Sequence, residues 1–426
     1  MTLPSRLRPA LAGLALALAA VFAPGIPAHA ADQPSARPAP SAEHRIMVML
    51  DLGPDHLRAG GDYGGGYSGS LAEPARLRLA RKIARDHRLT VLESWPMQLI
   101  GVDCVIMEVT DGRPIDAVVR ELTGVKGVSW SQPLNQYTMQ SRPPAAAAKP
   151  RRPGTSYNDR LYPAQPVSRA WKLASLHRMA TGRGVTIAIV DSRIDTAHPD
   201  LAGRITAAPD FAEGARTQAE RHGTGVAGII AARPNNSVGI AGVAPGARIL
   251  GLRACWERVS GGSTVCDSLS LAKALTYALE NRADVINLSL TGPPDRLLQT
   301  LIGIALKRGI TVVAAVDTAR PAASFPAFVA GVVAVSDERL PSGTPPVYIA
   351  PGQDVPTTEP GGRWELVSGS SFAAAHVSGL TALVRELNSG ARHEGGDALL
   401  GPRGTLDACA IVSRASHHSQ MECDAR

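Results

Sequence analysis

Three short stretches of this chain carry side chains that can do chemistry together. Asp191 closes the apolar run Val185–Val190 and is followed by Ser192-Arg193-Ile194-Asp195, then by His198-Pro199-Asp200-Leu201. His222 stands in Arg221-His222-Gly223-Thr224-Gly225-Val226-Ala227-Gly228. Ser371 stands in Val367-Ser368-Gly369-Ser370-Ser371-Phe372-Ala373-Ala374-Ala375-His376-Val377-Ser378-Gly379. A carboxylate, an imidazole and a hydroxyl are the parts of nucleophilic acyl transfer. The imidazole takes the proton of a weak hydroxyl nucleophile, and the carboxylate fixes the tautomer of the imidazole. Small residues after His222 and Ser371 let their helices pack closely, and a helix N-terminus aims backbone N–H groups at a developing oxyanion. Each stretch alone has a plainer reading: a cap after a strand, a core histidine, an N-cap. Only the three together point to chemistry.

The elements around these residues suit the task. Beyond residue 155, continuous apolar strands (Val185–Val190, Ile249–Arg253, Val285–Leu290, Thr311–Val316, Val332–Val335) alternate with stretches of helical spacing, Ser268–Asn281 and Leu297–Arg308. Buried strands alternating with helices predict a mostly parallel α/β sheet covered on both faces, joined by right-handed crossovers, with ligands at the carboxyl ends of the strands. Upstream, residues 44–139 read as a small α+β unit. His44–Leu50 is a strand, and a Gly-rich loop at 60–69 leads to a basic amphipathic helix over about Glu73–His87. Thr90–Val109 holds two strands around Gly101, Pro114–Leu122 is a helix, and Val125–Trp130 is a last strand. The order β-α-β-β-α-β is that of a ferredoxin-like split motif. Residues 141–154, SRPPAAAAKPRRPG, have the composition of a linker.

Composition narrows the function class. The chain has 426 residues, 44% of them hydrophobic, which excludes disorder throughout. Its net charge of +7 comes from 44 basic and 37 acidic side chains spread along the whole length, which argues against a nucleic-acid stripe. Aromatics at 4% leave little for base stacking. Arg6 and Arg8 precede the apolar run Leu11–Phe22 and the small-x-small site Ala28-His29-Ala30, the pattern of a secretory signal peptide over residues 1–30. The run is about 12 residues, short of the roughly 20 a bilayer span needs, and no later segment qualifies. A secreted or periplasmic protein without a membrane span is expected. Such a compartment lets close cysteines bridge. Of the pairings open to Cys255, Cys266, Cys409 and Cys423, spacing favours 255–266 and 409–423, leaving Cys104 as a buried thiol.

The three stretches resemble the motifs of the subtilisin-like serine peptidases, the subtilases, in that family's order Asp, His, Ser. Asp191 matches the Asp of D-[ST]-G-x-D-x-x-H-P-x-L, His222 the first His of H-G-T-x-V-A-G, and Ser371 the Ser of G-T-S-M-A-x-P-H-V-x-G, with Ser370 in the Thr place. Asp284–Leu290, Gly242–Ala247 and Ala350-Pro351-Gly352 are also similar, so the resemblance covers about 155–390. It implies a serine endopeptidase with an Asp191–His222–Ser371 triad, acting on polypeptides. Residues 31–140 look like the family's inhibitory pro-region, itself a partner of the catalytic domain (155–426), whose tail lies in the cleft until it is cut somewhere within Gln136–Tyr157. Ser289-Leu290-Thr291-Gly292 resembles the strand that pairs with extended substrate. The resemblance makes calcium possible, with its ligands unassigned because no Asp-rich loop marks them, and no other cofactor is expected.

The departures are specific. Arg193 stands where the family has Gly, and a guanidinium there is expected to favour ionised Asp191 and to narrow the cleft. Gly225 replaces a His, while Phe372 and Ala375 replace Met and Pro and read as repacking. The family's oxyanion Asn is missing: the stretch reads Val313-Ala314-Ala315-Val316-Asp317-Thr318. Loss of one such donor costs about 10²–10³ in rate in subtilisin itself. Thr318 and Asp317 are the candidate replacements beside the Ser371 N–H, the first through its hydroxyl and the second if protonated. An alternative therefore stays open, an inactive or weakly active extracellular binding protein on the same scaffold.

Overall fold

A computed structural model describes residues 44–51, 72–143, 157–212, 218–258, 263–388 and 396–416. The leader, the Gly-rich loop, the Pro-rich stretch beyond Pro143 and Cys423 lie outside these residues.

Seven parallel strands form the central sheet. Their order is Tyr348–Ile349, Val333–Ser336, Thr311–Ala315, Val285–Leu288, Thr186–Asp191, Arg248–Arg253, Ile205–Ala207. These strands are apolar without interruption because both faces are covered. Ile187 and Ile189 pack with Val226, Phe372, Leu380 and Ile411, the inner sides of helices Arg221–Ala231, Ser370–Leu387 and Ala408–Ser416. Ala188 and Val190 point the other way, into a cluster with Leu275 and Leu301 of helices Ser268–Glu280 and Arg296–Lys307. The period-2 alternation of a strand divides the core into these two layers.

The upstream unit has four antiparallel strands in the order Leu89–Met97, Val102–Val109, Arg45–Asp51, Val128–Pro133. Helices Ala72–Asp86 and Ile115–Leu122 cover one face, around Ile46, Val48, Ile83, Val105 and Val118. The other face, with Met47, Met49, Cys104 and Ile106, shares a cluster with Leu269, Leu271 and Leu297 and so packs on helices Ser268–Glu280 and Arg296–Lys307. Arg296 stacks on the Trp130 ring at 4.5 Å, and Asn135 donates to Asp295 at 3.2 Å. Cys104 is a free, buried thiol, and burial pushes its pKa up.

Two strand boundaries differ from the sequence reading. The last strand of the upstream unit starts at Val128 rather than Val125, because residues up to Gly127 (φ +88°) make the turn out of the helix. The run Val285–Leu290 breaks at Ser289: Leu288 ends the central strand, and Leu290–Thr291 joins a different sheet. That sheet has the order Leu290–Thr291, Gln136–Met139, Thr264–Asp267, Cys255–Glu257, all antiparallel. Gln136–Met139, counted with the upstream unit from sequence, is thus an inner strand of a sheet whose other three strands come from residues beyond 250. Cys255 and Cys266 face each other in its hairpin and are bridged.

Candidate active site

Asp191 ends a central strand and is fully buried. Its carboxylate accepts from Ser192 N–H at 2.7 Å and meets His222 Nδ1 with its two oxygens at 2.8 and 3.0 Å. With Nδ1 donating to the carboxylate, Nε2 is the ring nitrogen left able to take a proton. Among the described residues His222 Nε2 has no hydrogen-bond partner. His222 lies in the first turn of helix Arg221–Ala231, where free N–H groups need acceptors. Glu257 supplies one: its carboxylate accepts from the N–H groups of Arg221 at 2.6 Å and His222 at 3.2 Å. The neighbouring Gly223 is required by space, since a Cβ there would lie 2.2 Å from the Ser192 carbonyl oxygen. Phe372 packs on the imidazole with ring centres 5.4 Å apart and so buttresses it.

Ser371 is the second residue of helix Ser370–Leu387 and is fully buried. Its hydroxyl donates to the Ser289 carbonyl at 2.7 Å and accepts from the Gln140 N–H at 3.0 Å. Its own N–H donates to the Gln140 carbonyl at 3.1 Å. Asn287 supports this corner: its amide donates to Ser289 Oγ at 2.9 Å, and its oxygen accepts from Ser378 at 2.9 Å. His376, in the same helix, lies against the Pro351 carbonyl at 2.7 Å, and burial lowers its pKa to about 4.

The strand Gln136–Met139 runs through the groove beside Ser371. On one side Met139 and Thr138 pair with Leu290 and Thr291; on the other Thr138, Tyr137 and Gln136 pair with Val265, Cys266 and Asp267. Gln140 N–H also donates to the Ser289 carbonyl at 3.2 Å. Ser289, Leu290 and Thr291 therefore border this extended segment, and Gly292 makes room for Tyr137, whose ring occupies the place of any Cβ at that glycine. The Tyr137 hydroxyl donates to the Pro293 carbonyl at 3.1 Å. Beyond Gln140, residues 141–143 continue along the groove, and Arg142 N–H donates to the Ser368 carbonyl at 2.7 Å.

The two oxyanion candidates sit in different surroundings. The Asp317 carboxylate accepts from the N–H groups of Ala319 at 3.0 Å and Arg320 at 3.1 Å and pairs with the Arg320 side chain, closing its own turn. The Thr318 hydroxyl accepts from the Arg142 guanidinium at 2.9 Å. Arg193 differs from the sequence reading: its guanidinium pairs with Asp210 rather than with Asp191. Gly225 has a packing reason, since a Cβ would stand 3.0 Å from the Thr357 methyl. Among the described residues no three His, Cys, Asp or Glu side chains gather. The buried Asp200 carboxylate is occupied by Asn236 Nδ2, the Ile240 N–H and the Trp364 indole at 2.7–3.1 Å.

Sequence reasoning missed the second edge of the groove, Thr264–Asp267, the supporting Glu257, and the seats of Gln140 and Arg142. The first two lie in a stretch with no motif. For the tail, the alternation of buried Tyr137 and Met139 with exposed Gln136 and Thr138 was a readable strand pattern.

Comparison with known proteins bears on the whole arrangement. The Subtilase family model matches residues 182–400, about half of the chain. The chain is 39% identical over 213 residues to the thermophilic serine proteinase of Bacillus sp. (strain AK1), covering 52% of that protein's length. It is 36% identical over 242 residues to thermitase of Thermoactinomyces vulgaris, covering 83% of it. It is also 36% identical to subtilisin Savinase of Lederbergia lenta, covering 84%. The fold is similar to that of fervidolysin from Fervidobacterium pennivorans, described as a keratinolytic enzyme related to subtilisin, with TM-score 0.66 and 22% identity over 87% of this chain and 61% of that one. With its family model spanning half the chain and thermitase matched over most of its length, the chain belongs to the subtilase family.

Proposed function

We propose that this chain is a serine endopeptidase made as a self-processing precursor, exported by its leader to the periplasm or the medium, and that the bond it cuts in itself is Gln140–Ser141. One observation carries the reading: the Gln140 carbonyl is held on the Ser371 N–H, with the chain extended through the groove on both sides of that bond. His222, oriented by Asp191, takes the proton of Ser371 as the hydroxyl leaves the Ser289 carbonyl and attacks the Gln140 carbonyl carbon. The oxyanion that forms stays on the Ser371 N–H, with the Thr318 hydroxyl as second donor; accepting from Arg142 leaves that hydroxyl its own proton to give. His222 returns the proton to the Ser141 nitrogen, and water releases the acyl-enzyme by the same steps. Because the tail is already in place, the first cut is intramolecular, which offsets a weakened oxyanion hole. The mature enzyme then takes other polypeptides as extended strands in the same groove.

The test is expression of the full chain with its leader. Wild type is expected to yield a fragment beginning at Ser141 and to hydrolyse denatured casein, while Ser371→Ala keeps residues 31–140 attached. If both variants migrate alike and neither cuts casein, the binding-protein alternative replaces this reading.

A further inference from the structure

The groove on the leaving side of Ser371 has a feature that the triad does not need. The Arg142 guanidinium is forked over a three-point cradle. One nitrogen reaches Asp337 Oδ2 at 2.5 Å, and the other reaches Glu338 Oε1 at 3.1 Å and Thr318 Oγ1 at 2.9 Å. The Asp337 side chain is fully buried, whereas Arg142 is 41% and Glu338 43% exposed. Asp337's second oxygen accepts from Ser370, the neighbour of the nucleophile, at 2.9 Å. The two carboxylates are consecutive and follow directly on the sheet strand Val333–Ser336, so their spacing is set by the scaffold. The backbone of Arg142 is fixed as well, bridged antiparallel to Ser368.

From this geometry we infer that Asp337, Glu338 and Thr318 form a specificity subsite that selects arginine at the second position after the cut bond, in any polypeptide substrate and not only in the chain's own precursor. The inference rests on the peptidase reading above and adds the chemistry the leaving side prefers. A buried carboxylate is costly to leave without a counter-charge, and a planar guanidinium meets two carboxylates and a hydroxyl at once. Lysine brings one point charge and cannot span the three acceptors. Alanine leaves Asp337 with Ser370 alone, and glutamate adds repulsion. The expected order is therefore arginine, lysine, alanine, glutamate.

The mature enzyme is tested on internally quenched peptides of the sequence Gln-Tyr-Thr-Met-Gln-Ser-X-Pro, with X as Arg, Lys, Ala or Glu. Because the guanidinium is partly exposed, the Arg peptide should exceed the Ala peptide in kcat/KM by about 10- to 50-fold rather than more. Asp337→Asn should bring that ratio below about threefold, and Glu338→Gln should lower it part of the way. The ratio is read within each variant, so a general loss of activity does not mimic the effect. Equal cleavage of the Arg and Ala peptides by wild type, or a ratio that survives Asp337→Asn, overturns the subsite while leaving the peptidase standing. Failure of wild type to cut any of the peptides or denatured casein sinks the peptidase reading, and the subsite's role with it.

Discussion

Replacing Gly369 with alanine should slow the precursor's self-cleavage about 10²-fold while leaving it folded. Gly369 caps helix Ser370–Leu387 at φ +136°, a conformation L-residues rarely adopt. A Cβ built there would lie 2.3 Å from the Gln140 carbonyl oxygen and 2.9 Å from the Ser141 Cα. A tolerable carbon–oxygen contact is about 3.3 Å, so the carbonyl must retreat by about 1 Å. That takes it from 3.1 Å off the Ser371 N–H to roughly 4 Å, beyond hydrogen-bond reach. A displacement of this size costs about 10²-fold in rate. The strained backbone adds a stability loss of about 1–3 kcal/mol. The assay is a time course of the Ser141 terminus after refolding, for wild type and Gly369→Ala. Thermal unfolding of Ser371→Ala with and without Gly369→Ala isolates the stability term. Processing of Gly369→Ala at the wild-type rate would show that the Gln140 carbonyl is not the group presented to Ser371.

Two further outcomes follow from other parts of the molecule. Burial lowers the pKa of both His177 and His376 to about 4, so the unfolded chain, with ordinary histidines near 6.5, binds more protons between those values. Stability should be fully present above pH 6.5 and fall towards pH 4, by on the order of 3 kcal/mol per histidine. Urea midpoints measured from pH 7 to pH 4.5 check this. A flat profile refutes it, and His376→Gln should flatten it in part. Replacing both Cys255 and Cys266 with serine opens a loop of sequence separation 11, worth about 3 kcal/mol in the chain-entropy model, or about 6–10 °C in Tm. Because Glu257 follows Cys255 in the same short strand, kcat should fall as well. An unchanged Tm in calorimetry counts against the bridge as a stabilising element.

The sequence made the central sheet legible because strands buried on both faces leave uninterrupted apolar runs, and Thr186–Asp191 is one with a carboxylate at its end. Asp191, His222 and Ser371 were legible from their motifs, two of which hold glycines required by space, Gly223 against the Ser192 carbonyl and Gly369 against the Gln140 carbonyl. Arg193 was misread because a side chain's direction depends on its partner, and Asp210 is remote in the motif's own terms. Arg142 and Asp337 were invisible for the same reason. They meet across 195 residues of chain, and a run of Pro, Ala and Arg carries no period that would mark one arginine as held.

The strand Gln136–Met139 is hydrogen-bonded along both of its sides, to Leu290–Thr291 and to Thr264–Asp267. Two edges that share an inner strand stand about 9.5 Å apart, twice the strand spacing. A helix with its side chains is about 10–12 Å across, and a hairpin is two strands wide, so the slot passes polypeptide only in single file. On the proposed function, a target taking the place of Gln136–Arg142 must therefore be pulled straight over those seven positions, roughly 24 Å, before its bond meets Ser371. For a folded target, that stretch becomes available only when the target opens locally. Against native proteins, the rate of attack then reports the opening equilibrium of the victim more than its residue types, and rigid neighbours in the same compartment are spared by their own stability.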